Sequence, residues 1–399
     1  MRTRVVIFGV SGDLARRKLL PALSELVDSG SHADLSIVGV SRRSITVDEV
    51  AHDFPLLASR MSMFVMDLAN PEEYERLARE LRIGRDEQVL FYLAVPPGAA
   101  ADIVDFLGQA ALSLPNIKIL FEKPFGFDLE SAQEFIERTK RYFNERQIYR
   151  IDHYMAKEVA SRLIALREDA EGHHHSWGGH SVASVRVEAT ETIGIEKRGS
   201  YDAVGALRDI VQGHLMQLLS LVLLHPMGDE PLSKKRLAAL QSLRPADVAL
   251  AARAQYEDYA TEIENPGSLT ETYAHLTLAS DDPQWQGVPL QLVTGKKLDR
   301  KRTAVTVTYR DGTSEIFEEE AALKDARIPD AYERVLEDAI AGDQTIFTTS
   351  DEVIASWRLL APLQQSWAME DAIPIYPVGN SAEDVYDTIF SGKASEKPL

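Results

Sequence analysis

The stretch Arg4-Val5-Val6-Ile7-Phe8-Gly9-Val10-Ser11-Gly12-Asp13-Leu14-Ala15, running on into Arg16-Arg17-Lys18-Leu19-Leu20, decides the fold. Its opening residues have the character of a buried strand, its glycines make a tight turn, and its last residues start a helix. Strand, glycine turn and helix in that order let a backbone approach a pyrophosphate while the helix N-terminus faces the charge. The spacing G-x-x-G-x-x-A is a variant of the common dinucleotide fingerprint. Taken alone it describes a plain turn equally well.

Outward from this stretch the pattern repeats. A second strand, Leu35 to Val40, ends in Ser41-Arg42-Arg43. An NAD site usually carries a carboxylate there for the ribose 2′-hydroxyl, whereas arginines suit a 2′-phosphate, so NADP is the expected cofactor and NAD the alternative. Further strand patterns cover Met61 to Val65, Gln88 to Val95, Ile117 to Phe121 and Arg146 to Ile151, and polar helical patterns such as Pro71 to Arg82 and Asp128 to Arg146 separate them. Alternating strands and helices predict a parallel, doubly wound, Rossmann-like sheet over residues 1–153, with ligands outside the strand C-termini. Lys123, in Glu122-Lys123-Pro124-Phe125-Gly126, stands at such an end. So do Asp152 and His153, in the stretch Arg150-Ile151-Asp152-His153-Tyr154-Met155-Ala156-Lys157-Glu158, whose density of ionisable groups suits a cleft as well as it suits a solvated helix start.

Residues 154–399 read as a second, α+β domain with a mainly antiparallel sheet. A helix runs from Lys157 to about Arg167, and a polar loop follows with His173, His174, His175 and, further on, His180. No carboxylate is patterned with these imidazoles on a rigid element, so a solvated loop is expected and no metal site. Ser181 to Thr190 is a strand with Glu191 in its exit loop. The apolar helix Ala203 to Leu224 carries Arg208, Asp209, Gln212 and His214. Buried polar groups need hydrogen-bond partners, so four together suggest the lining of a cleft, although a lone buried histidine is more often a satisfied core residue. On a regular α-helix Asp209 and His214 would lie about 140° apart. Strands Glu271 to Leu278, Val288 to Val293 and Ala304 to Tyr309 come later, and the loop Thr294 to Arg302 holds five cations in nine residues. Such a loop is often plain surface, but it is also a local device for holding a phosphate. The helical pair Tyr332 to Ile340 and Glu352 to Trp367 follows.

At 399 residues the chain exceeds one ordinary core. With 62 acidic against 43 basic residues, a formal charge of -19, it is unsuited to broad contact with nucleic acid or an anionic membrane. It has no cysteine, which excludes disulfides, thiolate metal sites and cysteine nucleophiles. The N-terminus has no signal-peptide pattern, and the apolar run Leu215 to Leu224 is about half of what a membrane span needs. A cytoplasmic location is expected.

Together, Gly9 to Lys18, Glu122 to Gly126, Arg150 to Tyr154, Gly205-Ala206-Leu207-Arg208-Asp209 with Gln212 and His214, and Thr294 to Leu298 resemble the glucose-6-phosphate dehydrogenase family, in the family's order. Pro329 to Arg334 and Gly342 to Phe347 are similar too. The resemblance implies hydride transfer from C1 of a hexose 6-phosphate to NADP, giving a lactone, within carbohydrate metabolism and the pentose phosphate pathway. It implies that His214 is the general base, that Asp152 orients it, and that Lys123 lies near the nicotinamide. Gly9, Ser11, Gly12, Asp13, Leu14, Arg42 and Lys123 would bind the dinucleotide. His153, Tyr154 and Lys157 would hold the phosphate, Lys123, Glu191 and Asp209 the sugar hydroxyls, and Lys296 and Lys301 would add substrate contacts. A homo-oligomer, dimer or tetramer, is the expectation, although the chain is shorter than a typical member between Lys301 and Pro329, in the sheet that usually carries the dimer contact. Ala156 stands where the family has glycine, and Gly213 where it has asparagine. These departures keep open a relative acting on a different sugar phosphate, and a non-catalytic NADP-binding sensor.

Overall fold

Six apolar runs become parallel strands in a computed structural model of the chain, which describes residues 2–169, 172, 174, 177–196, 199–225, 229–318 and 330–395. They are β1 (Arg2–Phe8), β2 (Leu35–Ser41), β3 (Met61–Val65), β4 (Glu87–Leu93), β5 (Ile117–Phe121) and β6 (Ile148–Arg150). Their order is β3-β2-β1-β4-β5-β6, with every pairing parallel. All of β4 is buried, as expected for a central strand covered on both faces by crossover helices. The strand order reverses between β1 and β4, and open α/β sheets bind their ligands at that point. The expected doubly wound sheet is present.

The chain forms two compact units: Met1–Gly126 with Glu130–Ala156 and Ala322–Ser350, and Phe127–Leu129 with Lys157–Ala321 and Asp351–Leu399. The sequence suggested one boundary after His153; in the structure the chain leaves the first unit after Ala156 and later returns to it. The edge strand β6 accounts for the return. Arg150 is fully buried and reaches Glu145 and Ser350 Oγ, each at 2.8 Å. The Gln344 amide donates to the carbonyls of Glu145 and Ile148, and the Thr348 N–H donates to the Arg150 carbonyl at 3.1 Å. Residues 342–350 thus satisfy a strand edge that would otherwise be bare. Arg150, the first residue of the charged junction stretch, is structural.

The second unit is built on β7 (Val182–Thr190), β8 (Ala251–Tyr256), β9 (Tyr273–Leu278), β10 (Leu290–Gly295), β11 (Arg302–Tyr309), β12 (Ser314–Glu318) and β13 (Ile375–Tyr376). The order is β12-β11-β7-β10-β9-β8-β13. Only the β7–β10 and β8–β13 pairings are parallel, so the sheet is mainly antiparallel, as expected. Val185 and Val187 of β7 and Leu290 and Leu292 of β10 are fully buried, and the long apolar helix packs on these two strands. Strand β8, Ala-Ala-Arg-Ala-Gln-Tyr, escaped the sequence reading because it lacks period-two alternation. It is buried along its whole length, with Ala252 and Ala254 packed in one cluster with Val385 and Ile389 of the C-terminal helix Ala382–Ser395.

Candidate functional site

The described site residues fall into two groups, one in each unit. In the first unit, Gly9 follows β1 with φ +82°. A Cβ there would lie 2.3 Å from the Ala94 carbonyl oxygen, so only glycine lets the turn pass so close to the end of β4. The Gly12 N–H returns to the Gly9 carbonyl at 2.9 Å, and the chain enters a widened helical turn, Ala15–Leu19, before the regular helix Leu20–Asp28. A cleft of about 400 Å³ opens here, lined by the expected Gly9, Ser11, Gly12 and Arg42. Asp67, Leu68, Ala69, Ala94, Val95, Pro96, Ala99 and Asp102 also line it. Sequence reasoning missed these eight, and with them Val40 and Ser41 of β2; their signal was position, at the C-terminal ends of β2, β3 and β4 and in the helix Pro97–Gln109 that follows β4, and not side-chain chemistry. Asp13 and Leu14 are not part of the lining; Asp13 is exposed and pairs with Arg17 at 3.6 Å. Arg42 and Arg43 are exposed directly after β2. A cradle that a Cβ would fill, small walls and a basic β2 end together fit a dinucleotide.

Lys123 follows β5 by two residues, across Glu122, and the Lys123–Pro124 peptide is cis. The Tyr92 hydroxyl donates to Glu122, and burial pushes the Glu122 carboxyl up to about 7. Asp152 pushes the same way, while hydrogen bonds from Tyr92 and Tyr332 and the charge of Lys123 pull down. Asp152 is buried and accepts the Tyr154 N–H at 3.0 Å, which fixes the turn after β6. The His153 ring lies 5.0 Å from that of Tyr154 and 6.4 Å from that of Tyr332, centroid to centroid. The first unit therefore gathers Lys123, Asp152, His153 and Tyr154 at the ends of two neighbouring strands. Glu122, Tyr92 and Tyr332 join them and were not anticipated.

In the second unit Lys157 is the N-cap residue of the helix Glu158–Glu168. His214 and Gln212 are buried, and the Gln212 amide donates to Ser356 Oγ at 2.8 Å. Asp209 is half-buried. These three side chains sit on Leu207–Leu215, a widened helix in which the Met216 N–H reaches the Val211 carbonyl, five residues back. With bonds spanning five residues instead of four, a residue five positions on stands nearly above its predecessor. Asp209 and His214 therefore share a face here, in contrast to the wide separation expected from a regular helix. The helix starts where it does because Glu271 accepts the Leu207 N–H at 2.9 Å; Gly205, at φ +70°, leaves room for that carboxylate, which a Cβ would approach to 2.5 Å. Burial pushes Glu271 up.

Glu191 and Lys296 are brought together as an ion pair, and the Lys296 ammonium stands 5.1 Å over the Tyr201 ring. Lys301 is exposed one residue ahead of β11. Three other cations of the basic loop serve structure: Lys297 pairs with Glu262, Arg300 with Glu383, and Arg302 with Glu188 and Glu318. His173 and His175 lie outside the described residues. His174 is not solvated, as the loop reading had it, but buried, bonded to Glu315 at 3.0 Å and packed edge-on to Trp177. Among the described residues no group of histidines and carboxylates could hold a metal ion, and no helix is long and apolar enough to cross a membrane.

Residues 6–161 match the family model described as glucose-6-phosphate dehydrogenase, NAD binding domain, and residues 164–328 and 318–396 match the glucose-6-phosphate dehydrogenase, C-terminal domain. The glucose-6-phosphate 1-dehydrogenase of Gluconobacter oxydans (strain 621H) is 31% identical, over 92% of this chain and 91% of its own. That of Mycolicibacterium smegmatis is 31% identical over 94% and 93%. The solved glucose-6-phosphate 1-dehydrogenase of Mycobacterium avium superposes with a TM-score of 0.86 at 29% identity, covering 98% of this chain and 97% of that one. A glucose-6-phosphate dehydrogenase solved in complex with its substrate glucose-6-phosphate gives 0.87 at 25% identity, covering 100% and 99%. With both halves of the chain matched, and its two sheets carrying the motifs in order, the protein belongs to the glucose-6-phosphate dehydrogenase family of oxidoreductases.

Proposed function

We propose that the protein oxidises a hexose 6-phosphate, glucose 6-phosphate first, at C1 to the corresponding 6-phospholactone, with NADP as acceptor. Family membership carries this reading, and the chemistry of the gathered residues supports it. Bound NADP would supply the hydride acceptor. Gly9, Ser11 and Gly12 would bind the dinucleotide in the cleft at the glycine turn, with Asp13 and Leu14, outside that lining, contributing from the helix start, and Arg42 would select a 2′-phosphate through charge-assisted hydrogen bonds. His214 takes the proton of the C1 hydroxyl as the C1–H leaves with its electron pair, a role suited to an imidazole near neutral pH. Asp152 is its orienting carboxylate, favouring the imidazolium that forms. His153, Tyr154 and Lys157 hold the phosphate. Lys123, Glu191 and Asp209 contact sugar hydroxyls, with Lys296 and Lys301 as further contacts. Of the basic loop, Lys296 is the better supported, because its ammonium is already fixed beside Glu191.

The test is the absorbance of reduced nicotinamide, followed with a panel of sugar phosphates and free sugars, with NADP and NAD in parallel. Turnover that is fastest with glucose 6-phosphate and NADP is expected. Faster turnover of another sugar phosphate would move the substrate but keep the chemistry. NADP binding without any turnover would overturn the reading in favour of a sensor.

A further inference from the structure

Three elements of the first unit converge on Glu122, the residue between β5 and Lys123. Tyr92 reaches it from β4. Tyr332 reaches it from the first turn of the helix Ala331–Ala341. Lys123 and Asp152 are the charged groups that act on it. Asp330, the N-cap of the same helix, pairs with Lys18 at 2.9 Å. One helical turn thus touches both the helix after the glycine turn and the carboxyl beside Lys123. The Tyr332 ring also lies within 15° of parallel to His153.

A part-buried carboxyl whose hydrogen-bond donors include two phenols is a costly place for an anion. Both phenols keep their protons, because burial raises each well above its ordinary range. They donate, so the carboxylate is the form that their geometry fits; a protonated carboxyl would turn its own O–H toward a donor. Burial outweighs these donors and pushes the Glu122 carboxyl up to about 7, next in the chain to an ammonium placed among the reacting groups.

We propose that Glu122, held by Tyr92 and Tyr332, is a positioning residue for Lys123: its carboxylate steadies the ammonium at the end of β5, and its protonation releases it. The inference rests on the proposed role of Lys123 in the reaction. It adds to turnover a second ionisation on the acid side, beside that of the base.

The test is the pH profile of kcat for the full chain saturated with NADP and glucose 6-phosphate, between about pH 5 and 9. In the parent the acid limb of log kcat should approach a slope of about two, and in Glu122→Gln about one. Glu122→Gln should also lower kcat at pH 8 by roughly tenfold, with KM changed by less than about threefold. Glu122→Asp should restore the second ionisation. Tyr332→Phe, which removes a donor to the carboxylate, should move the limb to higher pH. A parent-like limb in a folded Glu122→Gln overturns the inference. Should that variant not fold, an unmoved limb in Tyr332→Phe overturns it. A parent that oxidises no sugar phosphate overturns the proposed function and takes this inference with it. Turnover with a one-ionisation limb in the parent overturns this inference alone.

Discussion

In the first unit the cleft at Gly9 is walled mostly by main chain and small side chains, with Arg42, Asp67, Leu68 and Asp102 among them, at the ends of strands whose directions the sheet already fixes. In the second, Asp209, Gln212 and His214 hang from a helix widened at that point, and Lys296 and Glu191 meet in a loop pair. A site made of backbone is sensitive to added bulk; a site made of side chains is sensitive to lost chemistry. The two units should therefore fail in different ways.

The largest expected effect is chemical. His214→Asn should cut kcat by roughly two to four orders of magnitude and leave NADP binding nearly unchanged; single-turnover kinetics with a fluorescence titration would check both, and near-normal turnover would remove His214 from the mechanism. Next comes bulk in the first unit. Gly9→Ala places a methyl 2.3 Å from the Ala94 oxygen at a positive φ, and should weaken NADP binding by roughly tenfold to a hundredfold, in line with about 1–3 kcal/mol of backbone strain. Titration calorimetry that finds parent affinity would contradict a backbone cradle. Arg42→Ala should raise the KM for NADP by about tenfold and leave that for NAD almost unmoved, the scale of one charge-assisted hydrogen bond. An equal change for both cofactors would take Arg42 off the 2′-phosphate.

The smallest effect separates the units by pH. Glu122 is raised to about 7 from 4.5 in the folded chain, so the native state binds its proton more tightly than the unfolded one, and its stabilising contribution grows as pH falls from 7 to 4.5. His275 has the opposite sign. Burial first, and Arg186 second, lower it from 6.5 to about 4, so its contribution is full above 6.5 and is lost as pH falls toward 4. Urea unfolding at pH 7 and pH 5 should register both. Glu122→Gln should remove a gain on acidification, and His275→Phe, which can keep the tilted ring contact with Tyr386, centroids 4.1 Å apart, should remove a loss. Identical pH responses in parent and His275→Phe would mean that the imidazole is not held neutral.

The same contrast explains what was legible. The alternating parallel strands and the positions of Lys123 and Asp152 at strand ends follow from period and turn chemistry, which a sequence displays directly; the order of the strands in the sheet does not. The eight cleft residues beyond β3 and β4 were hidden because their contribution is location. The shared face of Asp209 and His214 was hidden because no residue in Leu207–Leu215 announces a five-residue hydrogen bond. Tyr332 was legible only as a helix residue; that it reaches Glu122 depends on a chain return that no local pattern encodes. Strand β8 was missed because alanines carry no alternation.

That return reaches into the order of synthesis. Edge strand β6 is translated about 200 residues before Ser350, which both Arg150 and Glu145 need. At ordinary translation rates the gap is about 10–40 s. Throughout it the nucleotide-binding sheet has a buried-to-be arginine and an open strand edge, so a ribosome-bound chain arrested at residue 321 should be cleaved by protease near β6, and one arrested well past Ser350 should resist. Beginning the protein first, this sheet is among the last parts to be finished.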